Sequence, residues 1–120
     1  MSQHIYQVVD LMNAGKALEA FETYYAEDVA MRENENPATI GKDANRTREI
    51  AFFDSIAEVH DFSHGAIIAG DNHSAVRWNI DYTAKDGKRL AWNQWAIQTW
   101  KDGKIVDEQF VYDTASVKAA

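Results

Sequence analysis

Three short turns in the second half constrain this chain more than any other feature. Gly70-Asp71-Asn72, Lys85-Asp86-Gly87-Lys88 and Lys101-Asp102-Gly103-Lys104 each join two runs rich in β-branched and aromatic residues, which is the pattern of tight hairpins. The runs are 62–69, 74–83, 89–100 and 105–112, so the spacing predicts a four-stranded antiparallel meander. Ahead of it the apolar period is helical. Ile5, Val8, Val9 and Met12 recur at i, i+3, i+4 and i+7. Asn13-Ala14-Gly15 stops that helix, because glycine takes the left-handed C-cap conformation without penalty. A second helix is expected to direct Ala17, Leu18, Phe21, Tyr24 and Tyr25 inward and to end near Glu27-Asp28. Residues 29–34 alternate as a short strand, closed by Asn34-Glu35-Asn36-Pro37. A third helix from about Asp43 carries Ile50, Phe53, Ile56 and Ala57 on one face. Helices first and strands afterwards define an α+β class: three N-terminal helices packed on a strongly curved mixed or antiparallel sheet, with an internal pocket.

At 120 residues the chain suits one domain, residues 1–120, with a core large enough to need no staple. It has no cysteine, which excludes a disulfide framework, thiolate zinc sites and cysteine nucleophiles. The start, Met1-Ser2-Gln3-His4-Ile5, lacks a basic segment leading into an apolar run, so no signal peptide is read and a cytoplasmic location is expected. No apolar stretch is long enough to span a membrane. The net charge is −7 and the 12 basic residues are scattered; such a chain repels phosphate backbones and anionic lipid, so neither nucleic acid nor membrane is an expected partner. His60 and His64 stand four apart, about 13 Å along an extended segment at 3.3 Å per residue, too far to share an ion. No metal site is expected. No phosphate-binding glycine loop, dinucleotide fingerprint or Gly-x-Ser-x-Gly elbow is present, and no cofactor is expected.

The strands carry large side chains on both faces. In the longest, Trp92, Gln94, Ala96, Gln98 and Trp100 share one face and Ala91, Asn93, Trp95, Ile97 and Thr99 the other. A sheet packed only against helices would divide more cleanly, so one face is expected to meet the helices and the other a second copy, as a homodimer through the sheet face. Two carboxylates are candidate catalytic groups. Glu33 alternates with Val29 and Met31, and Glu108 shares a face with Val106, Phe110 and Tyr112. Burial beside apolar neighbours would raise the pKa of either into the range of a general acid or base. Equally, Glu33 at a strand end reads as solvated or paired with Arg32, and Glu108 as paired with Arg77 or Arg89 across the sheet. Trp92, Gln94, Gln98 and Trp100, with Trp78 and Tyr82 one strand earlier and Tyr112, form a polar and aromatic wall for a small oxygenated or planar ligand; the same residues also read as plain core and sheet rim.

The order of elements resembles the SnoaL-like branch of the nuclear transport factor 2-like superfamily. The resemblance rests on Asn13-Ala14-Gly15, on Tyr25-Ala26-Glu27-Asp28-Val29, on Gly41 and Phe52-Phe53, and on Trp100-Lys101-Asp102-Gly103-Lys104-Ile105-Val106 with Tyr112-Asp113. It implies a cone, a bent sheet wrapped round a long helix with a pocket at the wide end, and dimers through the outer sheet face. Members include polyketide cyclases, ketosteroid isomerase and dehydratases, so the fold leaves the activity open. Ketosteroid isomerase chemistry needs a carboxylate base, a tyrosine and a protonated aspartic acid. The corresponding positions fall near Glu33, on Val8 and near Ala96, so two of the three groups are missing. The resemblance therefore implies a small-molecule-binding protein of open activity, with cofactor-free isomerisation, cyclisation or dehydration as one reading. A non-catalytic ligand-binding or dimerisation module is the other, ahead of a protein-interaction domain.

Overall fold

The computed structural model describes residues 2–119. After a 3₁₀ turn at Ser2–His4, α1 (Ile5–Asn13) buries Ile5, Val8 and Val9, the stripe its spacing dictates. The chain reverses at Ala14-Gly15 into α2 (Ala17–Tyr24), which buries Ala20 and Phe21. β1 (Tyr25–Glu33) follows without a break. A two-residue strand, β2 (Thr39–Ile40), folds back on it with Ala30 opposite Ile40. Next come α3 (Lys42–Asp54), β3 (Ile56–Ala69), β4 (His73–Ala84), β5 (Arg89–Lys101) and β6 (Lys104–Val111), and a last short strand, β7 (Lys118–Ala119), pairs with β5. The sheet order is β2-β1-β6-β5-β4-β3, with β7 beside β5.

All three hairpins form where the turns place them. Between β5 and β6 the turn residues Asp102 and Gly103 both have positive φ, 53° and 78°. This is the mirror-image two-residue turn whose twist matches antiparallel strands. β1 joins β6 in parallel, with Met31 opposite Glu108 and Glu33 opposite Phe110, so the sheet is mixed. Register shifts interrupt β3 against β4, β1 against β6 and β5 against β6. Such extra residues bend and twist strands, and they let one face of the sheet fold round the helices.

Several expectations are corrected. The second helix stops at Tyr24, before Glu27-Asp28, and Tyr25 opens a strand that begins four residues ahead of Val29. Leu18 and Ile50 are both 39% exposed instead of facing the core. Ile56 and Ala57 belong to β3, which starts six residues ahead of the expected Phe62. The helical stripe was extended across a helix–strand boundary because Ile56 fits either period. Val106 does not share its neighbours' face by simple alternation. Trp100 opposes Ile105 while Thr99 opposes Asp107, so Val106 is the extra residue of a bulge and Ile105, fully buried, takes the inner face. Among the described residues no helix is long and apolar enough to cross a membrane.

Candidate functional site

The inner face of the sheet is a ladder of directly opposed residues. Trp92 stands opposite Ile80, Gln94 opposite Trp78, Ala96 opposite Val76 and Gln98 opposite Ser74 on β4 and β5, and β6 adds Glu108 beside Gln98 and Phe110 beside Ala96. Helices α1 and α2 cover this ladder with Ile5, Val8, Val9 and Phe21, and between the layers lies a cavity of about 360 Å³. Its walls are mostly apolar and aromatic. Phe62 stacks on Trp78 with centroids 4.9 Å apart and planes 15° from parallel, and Phe21 packs against Tyr25 at 4.9 Å. The polar groups on the wall are few: Tyr25, Glu33, Arg48, Glu49, Gln94, Gln98 and Glu108.

α3 is fixed over the cavity by one asparagine. The Asn45 side chain is completely buried and its amide donates to the carbonyls of Val29, Thr39 and Gly41 at 3.2, 3.0 and 2.9 Å. Two amide hydrogens spread over three acceptors hold the first turn of α3 against β1 and β2. Arg48 donates to the Asn45 carbonyl at 3.2 Å, and the same helix brings Glu49, Phe52 and Phe53 to the cavity.

Glu108 is 4% exposed, and its carboxylate accepts two hydrogen bonds from neutral donors. The Tyr25 hydroxyl donates to Oε1 at 2.5 Å and the Gln98 amide to Oε2 at 2.7 Å. Burial disfavours the charged form, and the two donors only partly offset it; with Glu49 and Asp107 adding negative charge nearby, the carboxyl is pushed up to about 7. Burial, then the charge of Glu108, drives the Tyr25 hydroxyl well above its ordinary value, so it stays a phenol. Glu49 is also raised, first by burial and then by Glu33, against the pull of Arg48. The network continues behind Gln98: the Ser74 hydroxyl donates to Gln98 Oε1 at 2.6 Å, and the Trp100 indole donates to Ser74 Oγ at 2.8 Å.

Glu33 and Glu108 both line the cavity, as do Trp78, Trp92, Gln94 and Gln98. The ion pairs expected as rivals do not form: among the described residues neither carboxylate makes a salt bridge, Arg89 pairs with Asp81 instead, and Glu33 stays partly exposed at its strand end. Glu33 approaches Tyr112, whose hydroxyl is raised by burial and by that carboxylate. Three members of the expected wall sit elsewhere. Trp100 lies behind the cavity, 2% exposed, spending its N–H on Ser74. Tyr112 follows the end of β6 and packs on the outer edge of Trp92 at 6.0 Å. Tyr82 lines a second, outer cavity of about 740 Å³, between the α1–α2 turn and β3. Met12, Ala17, Phe52, Phe53, Phe62 and Ile80 border both cavities, so the two adjoin. Sequence reasoning places Tyr25 in a helix and does not single out Glu49, and so misses both. A tyrosine at a helix–strand junction carries no local signal of its partner 83 residues away. Among the described residues no group of three or more His, Cys, Asp or Glu side chains is disposed to hold a metal, and His60 bonds Thr83 while His64 meets Asn13.

Comparison with known proteins accords with this architecture. The family model described as a SnoaL-like domain matches residues 5–108. A structure of a candidate SnoaL-like polyketide cyclase from Mesorhizobium loti is similar at 28% identity and a TM-score of 0.81, covering 92% of this chain and 97% of that one. An uncharacterised cystatin-fold protein from Novosphingobium aromaticivorans matches at 16% identity and a TM-score of 0.77 over 92% and 97% of the two chains. A nuclear transport factor 2-like protein of unknown function from Burkholderia pseudomallei matches at 17% and 0.77, over 94% and 90%. No match is found among curated proteins.

Proposed function

The chain belongs to the SnoaL-like domain family, and from that premise we propose that it binds a small, largely apolar, oxygenated molecule and exchanges a proton with it without a cofactor. The carrying observation is Glu108: a carboxyl pushed up to about 7, held by neutral donors and facing an apolar cavity. Near neutral pH it takes and returns protons with comparable ease, which is what a general acid–base group requires. Ionised, it accepts a proton from a carbon next to a substrate carbonyl. The C–H electron pair becomes the enolate double bond, and charge moves to the carbonyl oxygen. The donors for that oxygen are the Gln94 amide, whose carbonyl end is committed to the Trp92 indole at 3.0 Å, and the Tyr25 hydroxyl, whose one proton is released from Glu108 Oε1 once that oxygen holds the substrate's proton. Where a carbon–carbon double bond adjoins the deprotonated carbon, the dienolate takes the proton back from Glu108 at its far carbon, which is isomerisation. Where the substrate carries a second carbonyl, the enolate carbon attacks it and the alkoxide formed takes the proton from Glu108, which is cyclisation. Glu33 and Glu49 supply further carboxyl groups on the same wall.

The test uses 2-tetralone, a planar ketone with exchangeable hydrogens beside its carbonyl, in D₂O followed by proton NMR. Wild-type protein is expected to accelerate deuterium uptake about 100-fold or more over Glu108→Gln. Equal rates would sink catalysis by Glu108, and a lack of tryptophan fluorescence change on adding 2-tetralone would sink binding at the Trp78–Trp92 wall.

We assign the outer sheet face to a homodimer. Trp95 stands opposite Val111 there, next to Ile97, and Ile97 and Val111 are exposed. Light scattering should report a dimer that Ile97→Lys converts to a monomer; a monomeric wild type would remove the interface.

A further inference from the structure

Behind Glu108 runs a chain of hydrogen bonds whose direction is forced from its far end. The Trp100 indole N–H can only donate, so Ser74 Oγ must accept there. The single hydroxyl proton of Ser74 is then directed to its other neighbour, Gln98 Oε1. That commits the carbonyl end of the amide, so the NH₂ end faces Glu108 Oε2. Were the amide reversed, its carbonyl would confront the carboxylate and disfavour the ionised form. The amide facing Oε2 can only donate, whereas the Tyr25 hydroxyl facing Oε1 donates to the carboxylate and can accept from the acid, so the carboxyl proton has its place on Oε1. Every member of the chain is buried: Ser74 is 3% exposed and Gln98 2%. Ser74 and Trp100 do not line the cavity, so protein groups alone hold that end of the chain and with it the orientation of the amide.

We propose that Trp100 and Ser74 are positioning residues: they orient the Gln98 amide, which fills one oxygen of Glu108 and confines proton exchange to the other, beside Tyr25. Neither touches the cavity; they act through Gln98. The proposal rests on the reading of Glu108 as the proton-exchanging group. The ionisable groups around that carboxyl are Tyr25 and Glu33 from β1, Arg48 and Glu49 from α3 and Asp107 on its own strand. None of them is replaced in the substitutions below.

The experiment titrates the Glu108 carboxyl in ligand-free, full-length protein by ¹³C NMR of labelled glutamate, assigned through Glu108→Gln. Ser74→Ala and Trp100→Phe each free the amide to turn, and are expected to raise the Glu108 midpoint by about one pH unit, the loss of one hydrogen bond to a charged group. Ser74→Thr, which keeps the hydroxyl, should restore the wild-type midpoint. Val29→Ala trims a fully buried core residue that lines neither cavity and should leave the midpoint in place. An unmoved midpoint in Ser74→Ala overturns the proposal, as does an equal shift in Val29→Ala, which would mark general loosening. Ser74→Ala removes one oxygen and keeps the test available if Trp100→Phe does not fold. The two readings fail separately: a shifted midpoint with full 2-tetralone exchange in Glu108→Gln leaves the positioning intact and ends the catalytic role. An unmoved midpoint with exchange abolished does the reverse.

Discussion

Glu108 and Asp81 are carboxylates on one sheet, and their surroundings drive them in opposite directions. Asp81, on the outer face of β4, is gripped by the Arg89 guanidinium through two hydrogen bonds of 3.0 and 2.9 Å, which holds its pKa below the usual carboxylate range. Glu108, on the inner face of β6, has no cation in contact among the described residues and accepts from a phenol and an amide. Burial there outweighs two good hydrogen bonds. The exposed cluster on α2 and α3 repeats the first pattern: Arg46 bonds Glu22 at 2.5 and 2.8 Å and Asp43 at 2.6 Å. A solvated carboxylate with an arginine is kept charged and chemically idle; a buried one with neutral donors is left able to change state. Geometry of the hydrogen bonds alone would not separate the two classes, since both are short and well formed. The counter-charge and the water decide.

The comparison breaks or sharpens at three points. The largest effect is expected from Glu108→Gln on stability. The folded-state pKa of about 7 lies above the ordinary value of 4.5, so the folded form holds its proton more tightly and stability falls as pH rises through that window. Above it, wild type should be less stable than the amide variant by about 3 kcal/mol, and the gap should close below pH 4.5. Urea denaturation at pH 8 and pH 4 measures this; a gap independent of pH would mean that folding leaves the Glu108 pKa where it is in the unfolded chain. Next comes Tyr25→Phe, which removes one donor to the ionised carboxylate and should raise the Glu108 midpoint by about one pH unit in the same NMR titration. A lowered midpoint would place the tyrosine on the side of the neutral acid. The smallest effect belongs to Asp81→Asn, where screening by water leaves the ion pair little to contribute. No resolvable change in the urea midpoint is expected at moderate salt, and a large one would erase the contrast between the two faces.

Much of this was legible in residue order. The period change from 3.6 to 2 and the three glycine turns set the class, the meander and which residues of β5 share a face. Alternation also put Glu33 on the side of Met31, and Glu108 with Phe110. It failed where alternation itself breaks. The bulge at Val106 inverts parity between Ile105 and Asp107, and Ile56 fits the end of a helical stripe as well as the start of a strand. The ligand wall was partly legible for the same reason: Trp78, Trp92, Gln94 and Gln98 follow strand parity into the cavity, while Trp100 shares that parity but lies beyond the cavity's end.

Sequence by itself determined the elements, because hydrophobic period and turn chemistry act over a few residues and need no distant partner. It also determined the supply of groups: no cysteine, scattered cations and few polar side chains on the inner parity. Only tertiary structure decided what those groups became. Tyr25 reaches Glu108 across 83 positions because β1 lies parallel to β6 after a crossover through five other elements. Glu49 comes to the same wall because Asn45 fastens α3 to carbonyls of β1 and β2. The titration of Glu108 depends on water excluded by α1 and α2 and on cations placed elsewhere. Desolvation and charge are sums over neighbours in space, and no window of residues contains them.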